Sequence, residues 1–223
     1  LLRMSQVVQE ETGRPVVALT GPSHAEELAR CMPTGCVAAS QNQAHAELVQ
    51  DAFMSDYFRI YTSPDIVGAE LGGALKNVIA LCAGVTSGLG YGDNAKAMLM
   101  TRGLTEMTRL GVAMGANRET FAGLAGVGDL IVTCTSPHSR NRQAGILIGH
   151  GKTTDAAMTE VGAGVEGYYA ARSAWELAKK HGVDMPIVRA ACAVLYENVS
   201  TSQVVEQLLN RSKKLESEDS GWN

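Results

Sequence analysis

Aromatic rings, cysteine and charge of either sign in excess are all scarce in this chain. Its 23 Asp and Glu against 19 Lys and Arg leave a net charge of −4, which argues against a basic face for gripping nucleic acid. The five cysteines are too few, and odd in number, for a disulfide scaffold. Most sit in apolar stretches, as Cys82 does, and read as reduced, buried thiols of a cytoplasmic protein. No run reaches the ~18–20 uninterrupted apolar residues of a membrane-spanning helix, and no basic-then-apolar leader opens the chain, so neither a span nor a secretion signal is expected. What is plentiful is core-forming material: 45% of the 223 residues are hydrophobic and 19% charged, enough for one large domain or two modest ones. The chain starts in mid-helical pattern with Leu1 instead of Met, so an amino-terminal part is expected to be missing from it.

The period of the pattern changes along the chain. A helical stretch to Glu11 gives way to an apolar, β-rich run at 15–20, of the kind expected for a strand covered on both faces, and then to Gly21-Pro22. Ser23 and Glu26 have the spacing of a capping box at the start of a new helix. Residues 34–40 read as strand, 43–54 as helix and 57–62 as strand, an α/β alternation that suits the second half of an open sheet. From Ser63, expected as a cap with Pro64 in the first helical turn, only helical periodicity follows. Glycine or proline clusters at 84–92, 123–128, 136–139, 149–151 and 182–186 should break it. About six to eight helices are therefore expected after a domain boundary near residue 63. The partition is 1–63 sheet part, 64–212 helical domain and 213–223 polar tail, giving α/β plus all-α as the fold class.

Lys76 is the one lysine in the first 95 residues, and it stands in an apolar, helical segment. Helical spacing puts Gly72, Gly73, Ala80 and Ala83 on its face. Glycine inside a helix costs ~1 kcal/mol relative to alanine, which suggests that something approaches the backbone closely there. An ammonium group held among apolar side chains is disfavoured against the amine, so proton exchange near neutral pH becomes feasible. The plainer alternatives are a side chain that snorkels to solvent or pairs with Glu70.

A second constellation runs from Gly126 to Arg142. Asp129 follows glycines that permit a sharp reversal, and residues 136–139 read as the entry to a helix. Free amides at that helix start, with Arg140, Asn141 and Arg142, would make an anion pocket; the alternative is a capped helix with two solvated arginines. The glycines at 84–92 follow a helix, lack dinucleotide spacing and read as a loop. Cys134, His138 and His150 do not complete a tetrahedral metal set, so no metal is expected.

Five linked segments resemble the bacterial-type NAD(P)-dependent glycerol-3-phosphate dehydrogenases: LTGPSHAEE at 19–27, LGGALKNVIA at 71–80, TRGLTEM at 101–107, GVGDLIVTCT at 126–135 and SRNR at 139–142. VEG at 165–167 and GVDMPI at 182–187 also fit. The resemblance implies the end of a Rossmann-like nucleotide domain, then an all-helical substrate domain like the C-terminal one of 6-phosphogluconate dehydrogenase. It implies hydride transfer between NAD or NADP and the pair dihydroxyacetone phosphate and sn-glycerol 3-phosphate, the latter feeding phospholipid synthesis, by a cytoplasmic homodimer. By position Lys76 would be the proton acceptor and donor, with Asn77 and Asp129 orienting it or holding substrate. Gly21, Ser23, Ser139, Arg140 and Asn141 would bind substrate; Ala25, Arg140, Gly164 and Glu166 would touch the cofactor. Family members tend to carry a hydrophobic residue where Gly164 stands. No glycine-rich fingerprint opens the sheet part here, nor does the family's further substrate lysine, so little cofactor binding or turnover is expected of these residues alone. Two rivals stand beside this reading: a β-hydroxyacid or ketopantoate-type reductase, and a non-catalytic helical interaction module.

Overall fold

The computed structural model describes residues 1–162, 164–213, 215 and 216. Most of the polar tail expected at 213–223 lies outside the described residues. Helix α1 (Met4–Thr12) ends where Gly13 takes a left-handed φ of 66°. Strand β1 (Ala18–Thr20), the short helix α2 (Ala25–Leu28), strand β2 (Thr34–Ala39), helix α3 (Gln43–Phe53) and strand β3 (Phe58–Ser63) follow. The strands lie in the order β1-β2-β3. β1 runs antiparallel to β2, with Leu19 opposite Ala38, and β2 runs parallel to β3, with Cys36 opposite Ile60. Parallel neighbours need a crossover, and α3 supplies it. Cys36, Ala38, Phe58 and Ile60 form the small core of this part.

The expected strand at 15–20 shortens to three residues and is not covered on both faces, because Leu19 remains exposed. The expected capping box also fails. The Ser23 hydroxyl turns back to donate to the Gly21 carbonyl at 3.0 Å, which leaves His24 at the N-cap of α2 without a side-chain cap.

Helix α4 (Ile66–Gly88) is the axis of the molecule. It starts two residues later than expected because Asp65, not Ser63, caps it by accepting from the Gly68 amide at 2.8 Å. The same buried carboxylate accepts from the Asn117 amide and the Thr120 hydroxyl, tying that loop to the helix start. Around α4 pack α5 (Asp93–Ala113), α6 (Arg118–Phe121), a π-helical turn (Leu124–Gly128), α7 (Asp129–Thr135), α8 (Arg140–Gly149), α9 (Thr154–Val161), α10 (Glu166–His181), α11 (Pro186–Glu197) and α12 (Thr201–Leu209). Leu75, Val78, Ile79 and Leu81 of α4 join Met107, Leu110, Phe121, Leu130, Val188 and Leu195 in one continuous core. By length and composition α4 could cross a membrane, although its apolar runs are interrupted; 67% of its most apolar window is buried inside the molecule.

Nine α-helices and the π-turn thus follow residue 63 among the described residues, more than expected. Two glycine clusters expected as breaks do separate helices, but each is itself partly helical. Residues 84–88 are the last turn of α4, and most of 123–128 forms the π-turn. The first of these follows from a close crossing of α4 and α8. A Cβ on Gly84 would overlap the Arg142 carbonyl, one on Gly145 would overlap the Leu81 carbonyl, and Gly88 and Gly149 oppose each other one turn on. Glycines four apart on both helices let the two backbones touch, and the contact offsets their poor helix propensity.

Candidate active site

Lys76 occupies the middle of α4, and the two glycines on its face have distinct uses. A Cβ on Gly72 would overlap the Ala125 carbonyl of the π-turn, while Gly73 faces the Thr20 hydroxyl at the end of β1. Both neighbouring segments are thereby drawn onto the lysine face, the close approach that the glycines led one to expect.

The partner of Lys76 is neither solvent nor Glu70. Its Nζ lies 2.5 Å from Oδ2 of Asp129, the first residue of α7, which the π-turn delivers to this face. The Lys76 side chain keeps 19% of its exposure and that of Asp129 only 3%, so the pair opens to solvent on the lysine side. Burial pushes the Asp129 carboxyl above the usual carboxylate range; Lys76 and the Thr133 hydroxyl pull it back in part. Glu70 is engaged elsewhere, accepting from the Ser5 amide at 2.7 Å, the Ser5 hydroxyl at 2.5 Å and Arg3 Nε at 2.9 Å. The apolar surroundings expected for Lys76 are therefore replaced by a buried carboxylate.

Next to this pair runs a chain of carboxamides. Asn77 Nδ2 donates to Glu166 Oε2 at 2.9 Å and to the Gly73 carbonyl at 3.2 Å. Its Oδ1 accepts from Asn141 Nδ2 at 2.9 Å, and Asn141 Oδ1 accepts from the Gly167 amide at 2.8 Å. One buried network thus fastens the starts of α8 and α10 to α4. Ser139 caps α8 by accepting from the Arg142 amide, so its hydroxyl is already used in part. The Arg140 guanidinium lies against Gly164, whose φ of 92° and lack of a Cβ both make room for it. A side chain at 164 would displace the Arg140 guanidinium and strain the backbone at that φ, which gives this glycine a local reason. Residues 162–167 also spell a Gly-x-Gly-x-x-Gly pattern, yet they join two helices instead of a strand to a helix, outside the setting in which that pattern holds a pyrophosphate.

The turn at 21–24 closes the opposite side. Gly21 takes a φ of 146°, and a Cβ there would press on the Gly35 carbonyl and Cys36. Cys36, buried beneath the turn, has its thiol pushed up by burial, and it senses Ser23, Asp129 and Lys76 together. Glu26 lies within the fields of His138, His24 and Arg140, and the His24 and His138 rings meet edge-on at 6.0 Å. Lys76, Asp129, Asn77, Asn141 and Glu166 are therefore brought together, with the 21–24 turn and the start of α8 on their flanks. Ala25 is exposed at the start of α2, and no side-chain hydrogen bond ties it to the rest. Thr133, Cys36 and His24 were not singled out from the sequence; only His24, beside Ser23 in the turn, carried a signal there.

The family model described as NAD-dependent glycerol-3-phosphate dehydrogenase C-terminus matches residues 65–206, and the corresponding N-terminus model matches 1–46. The chain belongs to the NAD-dependent glycerol-3-phosphate dehydrogenase family. It is 56% identical over 216 residues to the glycerol-3-phosphate dehydrogenase [NAD(P)+] of Thermoanaerobacter sp. (strain X514), covering 97% of this chain and 66% of that relative. With the Desulfitobacterium hafniense (strain Y51) enzyme of the same name it shares 56% over 218 residues, 97% of this chain and 62% of the relative. The chain therefore spans slightly under two thirds of these relatives' length. Among solved structures, glycerol-3-phosphate dehydrogenase from Coxiella burnetii superposes with a TM-score of 0.89 at 40% identity, over 92% of this chain and 64% of that one. The Saccharomyces cerevisiae enzyme gives 0.81 at 28%, over 92% and 62%. The family's architecture is the one seen here, the end of a Rossmann-type sheet followed by a mostly helical domain.

Proposed function

We propose that the protein interconverts dihydroxyacetone phosphate and sn-glycerol 3-phosphate, with NAD or NADP as the hydride carrier. The observation that carries this reading is the 2.5 Å pairing of Lys76 with Asp129 beside the start of α8. In the reducing direction the C2 carbonyl gains a hydride on carbon and a proton on oxygen. The Lys76 ammonium gives that proton and is left as the amine, to be recharged from solvent; oxidation reverses the step. Asp129 fixes the position of Nζ and compensates its charge, while Asn77, held by Glu166, Gly73 and Asn141, steadies the helix that carries the lysine. A dianionic phosphate suits the amides at the start of α8 with Ser139, Arg140 and Asn141, and Gly21 and Ser23 bound the other side.

The cofactor supplies or takes the hydride. The donor set fits its nicotinamide end: Arg140 brings a permanent positive charge, and Ala25, Gly164 and Glu166 flank it. We read residues 1–63 as the end of the nucleotide-binding domain and 64–212 as the catalytic helical domain. The family resemblance supports a homodimer in the cytoplasm that supplies phospholipid synthesis, and the five cysteines, all free, agree with a reducing compartment.

The test is a chimaera in which this chain replaces the aligned part of the Thermoanaerobacter relative. NADH oxidation should require dihydroxyacetone phosphate, and Lys76→Ala should lower it by about 10²–10⁴-fold with the far-ultraviolet circular dichroism of the folded protein retained. Turnover of ketopantoate in its place, or full activity after Lys76→Ala, overturns the assignment.

A further inference from the structure

His24 Nε2 is a buried nitrogen that meets no hydrogen-bond partner among the described residues. Leaving such an atom unsatisfied costs free energy, and native proteins keep few of them, so each calls for an explanation. Packing does not explain it. His24 stands at the N-cap of α2 without capping that helix, directly after Ser23 in the turn that borders the Lys76–Asp129 pair. Its ring meets that of His138 edge-on, and His138 directly precedes Ser139, the N-cap of α8. His24 lies within electrostatic reach of both Asp129 and Glu26, and His138 and Arg140 lie within reach of Glu26 as well. Three basic side chains from two separate segments therefore converge on the start of α8, with the exposed Glu26 as the acid among them.

We propose that His24 is a substrate-binding residue whose Nε2 donates to the phosphate of the three-carbon substrate, from the side opposite Arg140. The inference rests on the reading of the site given above. A phosphate there supplies the acceptor that the described residues do not. Edge-on contact with His138 fixes the plane of the ring, so the direction of its donor is set before substrate arrives.

The test compares the parent chimaera with His24→Leu, His24→Gln and Arg140→Ala by calorimetric titration of sn-glycerol 3-phosphate and of inorganic phosphate, with melting temperatures alongside. His24→Leu should weaken both ligands by about tenfold at unchanged melting temperature, the loss of a hydrogen bond to a charged group. His24→Gln, which keeps an N–H donor at similar reach, should recover most of that loss. Unchanged binding in His24→Leu while Arg140→Ala loses it overturns the role of His24 and leaves the functional reading standing. Weakening of sn-glycerol 3-phosphate alone means that the nitrogen reaches another part of the ligand, and a matching fall in both His24 variants with lowered melting temperature means a structural role; either overturns the proposal. Failure of the parent to bind sn-glycerol 3-phosphate removes the functional reading first, and this inference with it.

Discussion

The sheet part and the α4-centred part of this molecule are held together in different ways. The sheet part has four buried core side chains of its own, and it exposes Leu19, Leu48, Phe53, Tyr57 and Tyr61. The helical part buries a continuous core that reaches every helix touching α4. The smaller unit relies on the larger one. Ala39 packs with Ile66, Ala69 and Ala125, Thr20 sits over Gly73, and Glu70 holds the start of α1. Rigidity thus originates in α4 and is passed outward, which suits a site whose lysine lies in the middle of that helix.

Three measurements can break or sharpen this contrast. The largest effect is expected from Gly145→Val, which drives a side chain into the Leu81 carbonyl. Overpacking against backbone of this kind should cost about 3 kcal/mol or more, read as a lower urea midpoint. Both parts should unfold together; a sheet part that melts separately would show that it does not lean on α4. A smaller loss, about 1–3 kcal/mol, is expected from Glu70→Ala, which leaves the Ser5 amide and Arg3 without their acceptor. Hydrogen exchange should quicken in α1 while the α4 amides keep their protection, and equal quickening in both would contradict the local role assigned to Glu70.

The effect that is smallest per unit of the variable changed is one of pH, and it lies wholly within the helical part. Glu106 of α5 accepts from the Ile187 and Val188 amides at the start of α11, and burial pushes its carboxyl up from 4.5 to about 7. A raised folded value means that the unfolded chain loses this proton first. The contribution to stability is therefore full below about pH 4.5 and is lost as pH rises through about 7, by at most about 1.4 kcal/mol per pH unit for one proton. Chemical melts between pH 5 and 8 should show this decline, and Glu106→Gln should flatten it.

Local signals were readable in the sequence where the determinant was local. The spans of α3, β2 and β3 follow from periodicity, and Lys76 and Asp129 stand out as polar residues beside glycines in apolar runs. What escaped was decided across long separations. Residues 84–88 look like a loop until Gly145 and Gly149, some sixty positions on, are set against them. Asp129 is the partner of Lys76 over 53 residues, whereas the acid considered from the nearby sequence was Glu70. Ser23 fits a capping box by spacing, yet the helix starts one residue later with His24 at its N-cap, and the Ser23 hydroxyl donates to the Gly21 carbonyl, a one-residue shift that spacing alone does not rank.

The crossing of α4 and α8 reaches beyond stability. Lys76 rides on one of these helices and Arg140 on the other, and where the two cross the gap is set by main chain touching main chain. In the proposed function, the span from Lys76 to Arg140 would consequently depend on a crossing in which backbone meets backbone, a spacing that side-chain substitution elsewhere on the two helices does not set. If the proposed function holds, a ligand one carbon longer or shorter would have to be met by moving a whole helix, and the four glycines would act as a calliper for it.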